Sequence, residues 1–204
     1  MKKVFNLLIV DESGSMSIIK QQALVGINET LTTIQKMHGN LEQHVTLITF
    51  DSNHKKLFYD NVTEDQAKPL APKDYRPCGG TPLYDAIGMG IAKINAQTTE
   101  KDSVLVTIIT DGEENCSVEY NLRMIKNLIE KLKKQNWTFT FIGTDNLDVE
   151  GMAQGMGITN HLSFAQDEAG TKDMFACENR ARTRYFDCLS SGKVQEEYSY
   201  FDEN

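Results

Sequence analysis

The residues Val4-Phe5-Asn6-Leu7-Leu8-Ile9-Val10 form a nearly continuous apolar run that stops at the charged pair Asp11-Glu12. A strand that is apolar on both faces belongs inside a parallel sheet covered on both sides, because an antiparallel sheet with one wet face would alternate. The same pattern recurs. Residues 45–50, 104–110 and 137–142 read as further buried strands, and 161–164 as a short last one. Between them lie stretches with helical spacing: Leu24, Ile27, Leu31 and Ile34 in a helix over 17–37 ended by Gly39-Asn40, then Leu83, Ile87, Ile91 and Ile94. Leu122, Ile125, Ile129 and Leu132 mark a helix over 118–135. A short helix over 149–156 and a last one over 171–189 follow.

Alternating strands and helices predict an α/β fold: a doubly wound, mostly parallel six-stranded sheet with helices on both faces, in three Rossmann-type layers. Residues 55–59 are expected to pair with 45–50 through a hairpin at Asp51 to His54, which makes one antiparallel edge strand. Residues 1–191 read as one domain, the size a single core supports. Residues 192–204 read as an acidic, aromatic tail, expected to be loose.

Composition narrows the function. A formal net charge of -8 with no basic block argues against nucleic acid as a partner. No apolar run is long enough to span a bilayer, and the N-terminal one ends at Asp11-Glu12 without a cleavage site. The expected location is the cytoplasm. The four cysteines, Cys78, Cys116, Cys177 and Cys188, show no zinc-ribbon spacing. Cys177 and Cys188 fall on the last helix's apolar stripe and are expected in the core; Cys78 has no neighbouring histidine to activate it.

The chemistry gathers at strand ends. Asp11-Glu12-Ser13-Gly14-Ser15 follows the first strand, and Asp111-Gly112 follows the strand over 104–110. Gly79-Gly80-Thr81-Pro82 opens a helix. The carboxyl ends of parallel strands share one edge, so Asp11, Ser13, Ser15, Thr81 and Asp111 are expected to meet there. Carboxylates and hydroxyls are hard oxygen ligands that suit Mg²⁺, with Mn²⁺ or Ca²⁺ as alternatives. Each residue also has an ordinary structural role: Ser13 and Ser15 as helix caps, Thr81 as N-cap with Pro82 at the first helical position, Asp111 in a turn.

These three motifs, in this order, resemble the metal-ion-dependent adhesion site of von Willebrand factor A and integrin I domains, and the element order matches over nearly the whole chain. Residues 8–16 and 79–86 look like those of bacterial stand-alone members. The resemblance implies that Ser13, Ser15 and Thr81 offer hydroxyls to an ion, while Asp11 and Asp111 supply charge directly or through water. It also implies a coordination position for an Asp or Glu of a partner protein, hence a protein-binding module and not an enzyme. Cytoplasmic members of the family often work beside ATPases or in stress-response complexes. In related I domains the last helix moves when a carboxylate binds, which makes 171–189 the corresponding segment.

Asp85 is expected either to bond a metal-bound water or steady the loop, or to be an early-helix carboxylate favoured by the dipole. Glu12, Glu113 and Glu114 are expected to be solvent-exposed loop residues. Arg180, Arg182 and Arg184 read as a solvated helix face, and Tyr75 and Arg76 receive no role. The competing reading is a Mg²⁺-dependent phosphohydrolase resembling the haloacid dehalogenase group, with Asp11 as nucleophile. Ser13 stands where that group carries its second acid, and Ser15 and Thr81 have no role in it.

Overall fold

A computed structural model describes residues 2–36, 41–192 and 200–201. Six strands form one sheet: β1 (Lys2–Asp11), β2 (Leu41–Phe50), β3 (Lys55–Thr63), β4 (Ser103–Thr110), β5 (Trp137–Thr144) and β6 (Asn160–Phe164). Their order is β3-β2-β1-β4-β5-β6. β1 pairs in parallel with both β2 and β4, and β5 and β6 continue the parallel set. β3 runs antiparallel to β2 at the edge, as the hairpin reading requires.

Five α-helices cover the sheet: α1 (Lys20–Lys36), α2 (Leu83–Asn95), α3 (Leu122–Leu132), α4 (Val149–Gly155) and α5 (Glu168–Ser190). One core layer joins α1 and α5 to one face, through residues such as Leu8, Val10, Leu31 and Phe186. The other joins α2, α3 and α4 to the opposite face, through Ile9, Ile91, Ile129 and Phe141. Leu8 and Ile9 are adjacent and point to opposite layers, which is why the first strand had to be apolar throughout. The α/β architecture is as the sequence predicts.

Several boundaries differ for local reasons. Residues Gly14–Ile19 form a 3₁₀ segment, and α1 proper starts only at Lys20. The expected end of this helix at Gly39-Asn40 lies outside the described residues. β3 runs on to Thr63 past a pairing irregularity, with Asn61 at a φ of 53°. α3 begins at Leu122 and not at Val118: Asn121 is its N-cap, accepting from the Met124 amide at 3.1 Å, and the residues before it form a loop whose Val118, Glu119 and Tyr120 amides donate to the Asp85 carboxylate.

The arginine reading is wrong for one of the three residues. Arg182 is fully buried under α5. Its guanidinium pairs with Glu178 at 2.6 Å and donates to Thr107 Oγ1 at 2.8 Å. Alternation along a helix says nothing about depth, and residue 182 falls on the buried stripe with Phe175, Glu178, Ala181, Tyr185 and Phe186. Cys177 and Cys188 flank that stripe and are only half-buried, which corrects their assignment to the core.

Most of the tail lies outside the described residues, but Tyr200 does not. Its ring is buried, its hydroxyl contacts Glu178 Oε1 at 3.2 Å, and its amide donates to Asn160 Oδ1 at 3.0 Å. At that residue the tail is a packed part of the fold.

Candidate functional site

The parallel order puts the carboxyl ends of β1 and β4 side by side, with Val10 in register with Ile109. Asp11 closes β1, and Asp111 follows β4 directly. β1 is also the strand from which the connections diverge to either side, the position where open α/β sheets bind ligands.

Asp11 is fully buried and both its oxygens are engaged. Oδ1 accepts from the Ser13 amide at 2.7 Å, and Oδ2 accepts from the Thr110 hydroxyl at 2.6 Å. Burial pushes its pKa up to about 6, against the lowering effect of those bonds. Asp111 is 3% exposed and is also raised, again by burial first. The Ser15 hydroxyl donates to Asp111 Oδ1 at 2.7 Å, and the Ser13 hydroxyl lies 3.5 Å from the same oxygen. The two serine oxygens are 3.2 Å apart. Ser13 is buried while Ser15 is exposed, so the cluster is closed from below and open at Ser15.

Thr81 completes the group from a third segment. Its Oγ1 lies 2.8 Å from where a Cβ on Gly112 would stand, so the hydroxyl packs against the residue after Asp111. The expected capping role is not seen. Pro82 takes the N-cap position of α2, and the first-turn amides of Tyr84 and Asp85 donate to Glu114 Oε2 and Ser117 Oγ, not to Thr81. Ser13 likewise occupies the N-cap position of the 3₁₀ segment without a side-chain capping bond. The Ser13 hydroxyl stays at Asp111, and the Thr81 hydroxyl stays against Gly112.

The loops are cross-braced. The Gly14 amide donates to Gly79 O at 3.0 Å, and the Cys78 amide to Glu12 O at 2.8 Å. The Thr81 amide donates to Asn115 Oδ1 at 2.9 Å, and the Asn115 amide returns to Thr81 O at 3.2 Å. Tyr75, which the sequence left without a role, is buried and donates its hydroxyl to the Asp11 carbonyl at 2.6 Å.

Glu12 is a second correction: it is fully buried and not exposed. Its carboxylate takes Lys56 Nζ at 2.6 Å, the Thr49 hydroxyl at 2.5 Å and the Arg76 amide. A buried charge with this many donors is an anchor for the 75–78 segment. Glu114 is half-buried and also structural, accepting from the amides of Tyr84, Cys116 and Ser117; Glu113 is exposed as expected.

Asp85 steadies the loop and makes no contact with Asp11 or Asp111. Burial works to raise its pKa, but the amides of Val118, Tyr120 and Glu119, with Lys55 at 3.5 Å, hold it below the usual carboxylate value. The Cys78 thiol donates to Asp51 Oδ2 at 3.3 Å, and this bond to a carboxylate pushes its pKa up, away from reactivity.

Among the described residues no three His, Cys, Asp or Glu side chains gather to hold an ion, so hydroxyls must complete any donor set. A hard divalent cation fits this one. Two carboxylates are buried close together at a cost that a cation relieves, and the hydroxyls of Ser13 and Ser15 at Asp111, with that of Thr81 against Gly112, add hard oxygen donors. Among the described residues no helix is long and apolar enough to cross a membrane.

Comparison with solved structures gives the same architecture. The von Willebrand domain of the pilus tip protein Mfa5 of Porphyromonas gingivalis aligns with a TM-score of 0.68 at 11% identity, over 98% of this chain and 99% of that one. The pilus adhesin SpaC of Lactobacillus rhamnosus GG, in its open conformation, aligns at 0.65 with 19% identity, over 91% of this chain and 30% of that one. Proximal thread matrix protein 1 from the mussel byssus, with a zinc-occupied metal-ion-dependent adhesion site, aligns at 0.62 with 12% identity, over 89% and 46%. The chain thus spans under half the length of the mussel protein. These likenesses carry the fold alone. No curated protein matches the sequence. The sequence pattern of the von Willebrand factor type A domain matches residues 7–176, well over half of the chain. The chain belongs to the von Willebrand factor type A domain family.

Proposed function

We propose that this chain is a divalent-metal-dependent protein-binding module, in which Asp11, Ser13, Ser15, Thr81 and Asp111 hold Mg²⁺, with Mn²⁺ as a close substitute. The observation that carries this reading is the meeting of the Ser13 and Ser15 hydroxyls at Asp111 Oδ1, from segments about a hundred residues apart, while neither serine nor Thr81 caps a helix. When bound, the ion supplies a positive centre able to accept one more oxygen, and the acceptable partner is a protein presenting an Asp or Glu. The chain's own residues do the rest. Tyr75, Glu12 and Asp85 hold the loops, and the burial of Asp11 keeps water from the inner side. Structural relatives that include a pilus adhesin and a protein with a zinc-occupied metal-ion-dependent adhesion site agree with this use of the fold.

The phosphohydrolase reading is less well served. An attacking carboxylate needs an open oxygen, and Asp11 is fully buried with both oxygens bonded. We further read residues 1–191 as a single domain of the kind found in bacterial members, acting in the cytoplasm beside an ATPase or a stress-response complex. Calorimetric titration with Mg²⁺ and Mn²⁺ tests the first step, and the absence of binding at millimolar ion would overturn it. Pull-down from the native cell with Mg²⁺ or with chelator tests the second; a partner set indifferent to chelator contradicts it.

A further inference from the structure

Gln166 lies in the turn between β6 and α5, where the sequence offers no motif. Its Nε2 donates to Asp111 Oδ2 at 2.5 Å. A carboxylate only accepts, so the nitrogen end of the amide must face it. The other oxygen of Asp111 is the one that Ser15 and Ser13 reach. The two oxygens are therefore divided between the hydroxyl pair and the β6–α5 turn.

The turn is fixed independently of Asp111. Asp167 caps α5 by accepting from the Gly170 amide at 2.7 Å, and its own amide donates to Ala165 O at 2.8 Å. The Thr171 hydroxyl donates to Asp167 O at 2.6 Å. A Cβ on Gly170 would stand 2.4 Å from Ala165 O, so the turn closes this tightly only around glycine. Further along, Arg182 ties α5 to the middle of the sheet through Asn6 and Thr107. Gln166 is presented from a rigid platform.

Hard cations differ in what they require of a carboxylate. Ca²⁺ takes about 6–8 oxygens and often both oxygens of one carboxylate, whereas Mg²⁺ holds to about six at short range and takes one oxygen per carboxylate. We propose that Gln166 is a positioning residue that sets the ion selectivity of this site: by engaging Asp111 Oδ2 it leaves a single oxygen to offer, which favours Mg²⁺-sized ions over Ca²⁺. The inference rests on the metal-binding reading above.

The test is calorimetric titration of the full chain and of Gln166→Met with Mg²⁺, Mn²⁺ and Ca²⁺, with no binding partner present. Methionine keeps the length and bulk and removes the donor. The native chain is expected to bind Mg²⁺ more tightly than Ca²⁺, and Gln166→Met to move the ratio toward Ca²⁺ by about tenfold, the usual scale for outer-shell partners of metal ligands. Gly170→Ala, which displaces the turn and leaves Gln166 in the chain, is expected to move it the same way. An unchanged ratio in Gln166→Met, or a native chain that prefers Ca²⁺, overturns the role of Gln166 and leaves the metal reading standing. A native chain that binds none of the three ions overturns both.

Discussion

Arg182 on α5 donates through Nη1 to Asn6 Oδ1 at 2.8 Å, placing a guanidinium against the middle of the central strand. Burial alone would push Arg182 toward neutrality, but the adjoining Glu178 carboxylate holds its pKa up, so this is a true buried ion pair. Asn6 passes the contact on, donating to Gln43 Oε1 at 2.9 Å and to the His44 carbonyl at 3.1 Å. Three strands and the last helix thereby share one polar network.

Removing one member strands the others. Arg182→Ala is expected to cost about 3–5 kcal/mol, because the Glu178 charge is left buried without a partner. The double change Glu178→Leu with Arg182→Met is expected to recover most of that loss, since the cost lies in the orphaned charge. Urea denaturation of the native chain and the two variants measures both.

Gly26 on α1 faces the Phe175 ring of α5 so closely that a Cβ there would lie 2.0 Å from Phe175 Cδ2. Gly26→Ala is expected to destabilise by about 1–3 kcal/mol through overpacking. Adding Phe175→Leu should make the pair less costly than the sum of the single changes, a non-additivity that a double-mutant cycle resolves.

Thr81 separates a helix cap from an ion ligand. Thr81→Ala is expected to leave the metal-free melting temperature nearly unchanged, because the first turn of α2 is capped by Glu114 and Ser117 and not by Thr81. The same change is expected to weaken Mg²⁺ binding about tenfold or more, with Thr81→Ser retaining most of the affinity. A loss of stability with unaltered ion binding would return Thr81 to an ordinary structural role.

Asp11 gives the site a pH signature. Its folded pKa, about 6, exceeds its ordinary 3.8, so the folded state binds the proton more tightly than the unfolded one. That contribution to stability is fully present below about pH 3.8 and is lost as pH rises through 6. In chelator, Asp11→Asn is therefore expected to gain on the native chain between pH 4 and pH 7.5, by of order 2–3 kcal/mol. Denaturation at the two pH values tests this, and saturating Mg²⁺ should narrow the gap by stabilising the ionised carboxylate.

What the sequence revealed and what it hid divide along a physical line. The apolar runs at Val4–Val10 and Val104–Thr110 report burial on both faces, and the polar residues that end them fall on one edge by topology alone. The meeting of Asp11, Ser13, Ser15 and Asp111 at that edge was legible for that reason, while Thr81 was signalled by the helix start at Gly79-Gly80-Thr81-Pro82. Glu12 and Arg182 were not, because a charged residue gives no local sign that distant donors or acceptors will satisfy it. Gln166 was invisible for a simpler reason. A single amide in a turn has no periodicity or spacing, and its value comes only from the carboxylate that the fold brings to it. The nearest signal was the Asp167 to Gly170 pattern, which marks a tight helix start and hence a fixed turn.

β1 is the first strand of the chain, yet it lies between β2 and β4 in the sheet. It is a seam: residues 2–63 make one side, 103–164 make the other, and Asp11 and Asp111 stand on opposite sides of the join. Pairing across the join spans roughly a hundred positions of chain, a closure whose entropy cost must be met before its contacts repay it. A partly assembled molecule with only the first half formed holds Asp11, Ser13 and Ser15 but lacks the carboxylate their hydroxyls need. The cluster at the edge is thus complete only where both sides of the join have come together, so a strand's place in the sheet makes one small site a report on the whole fold.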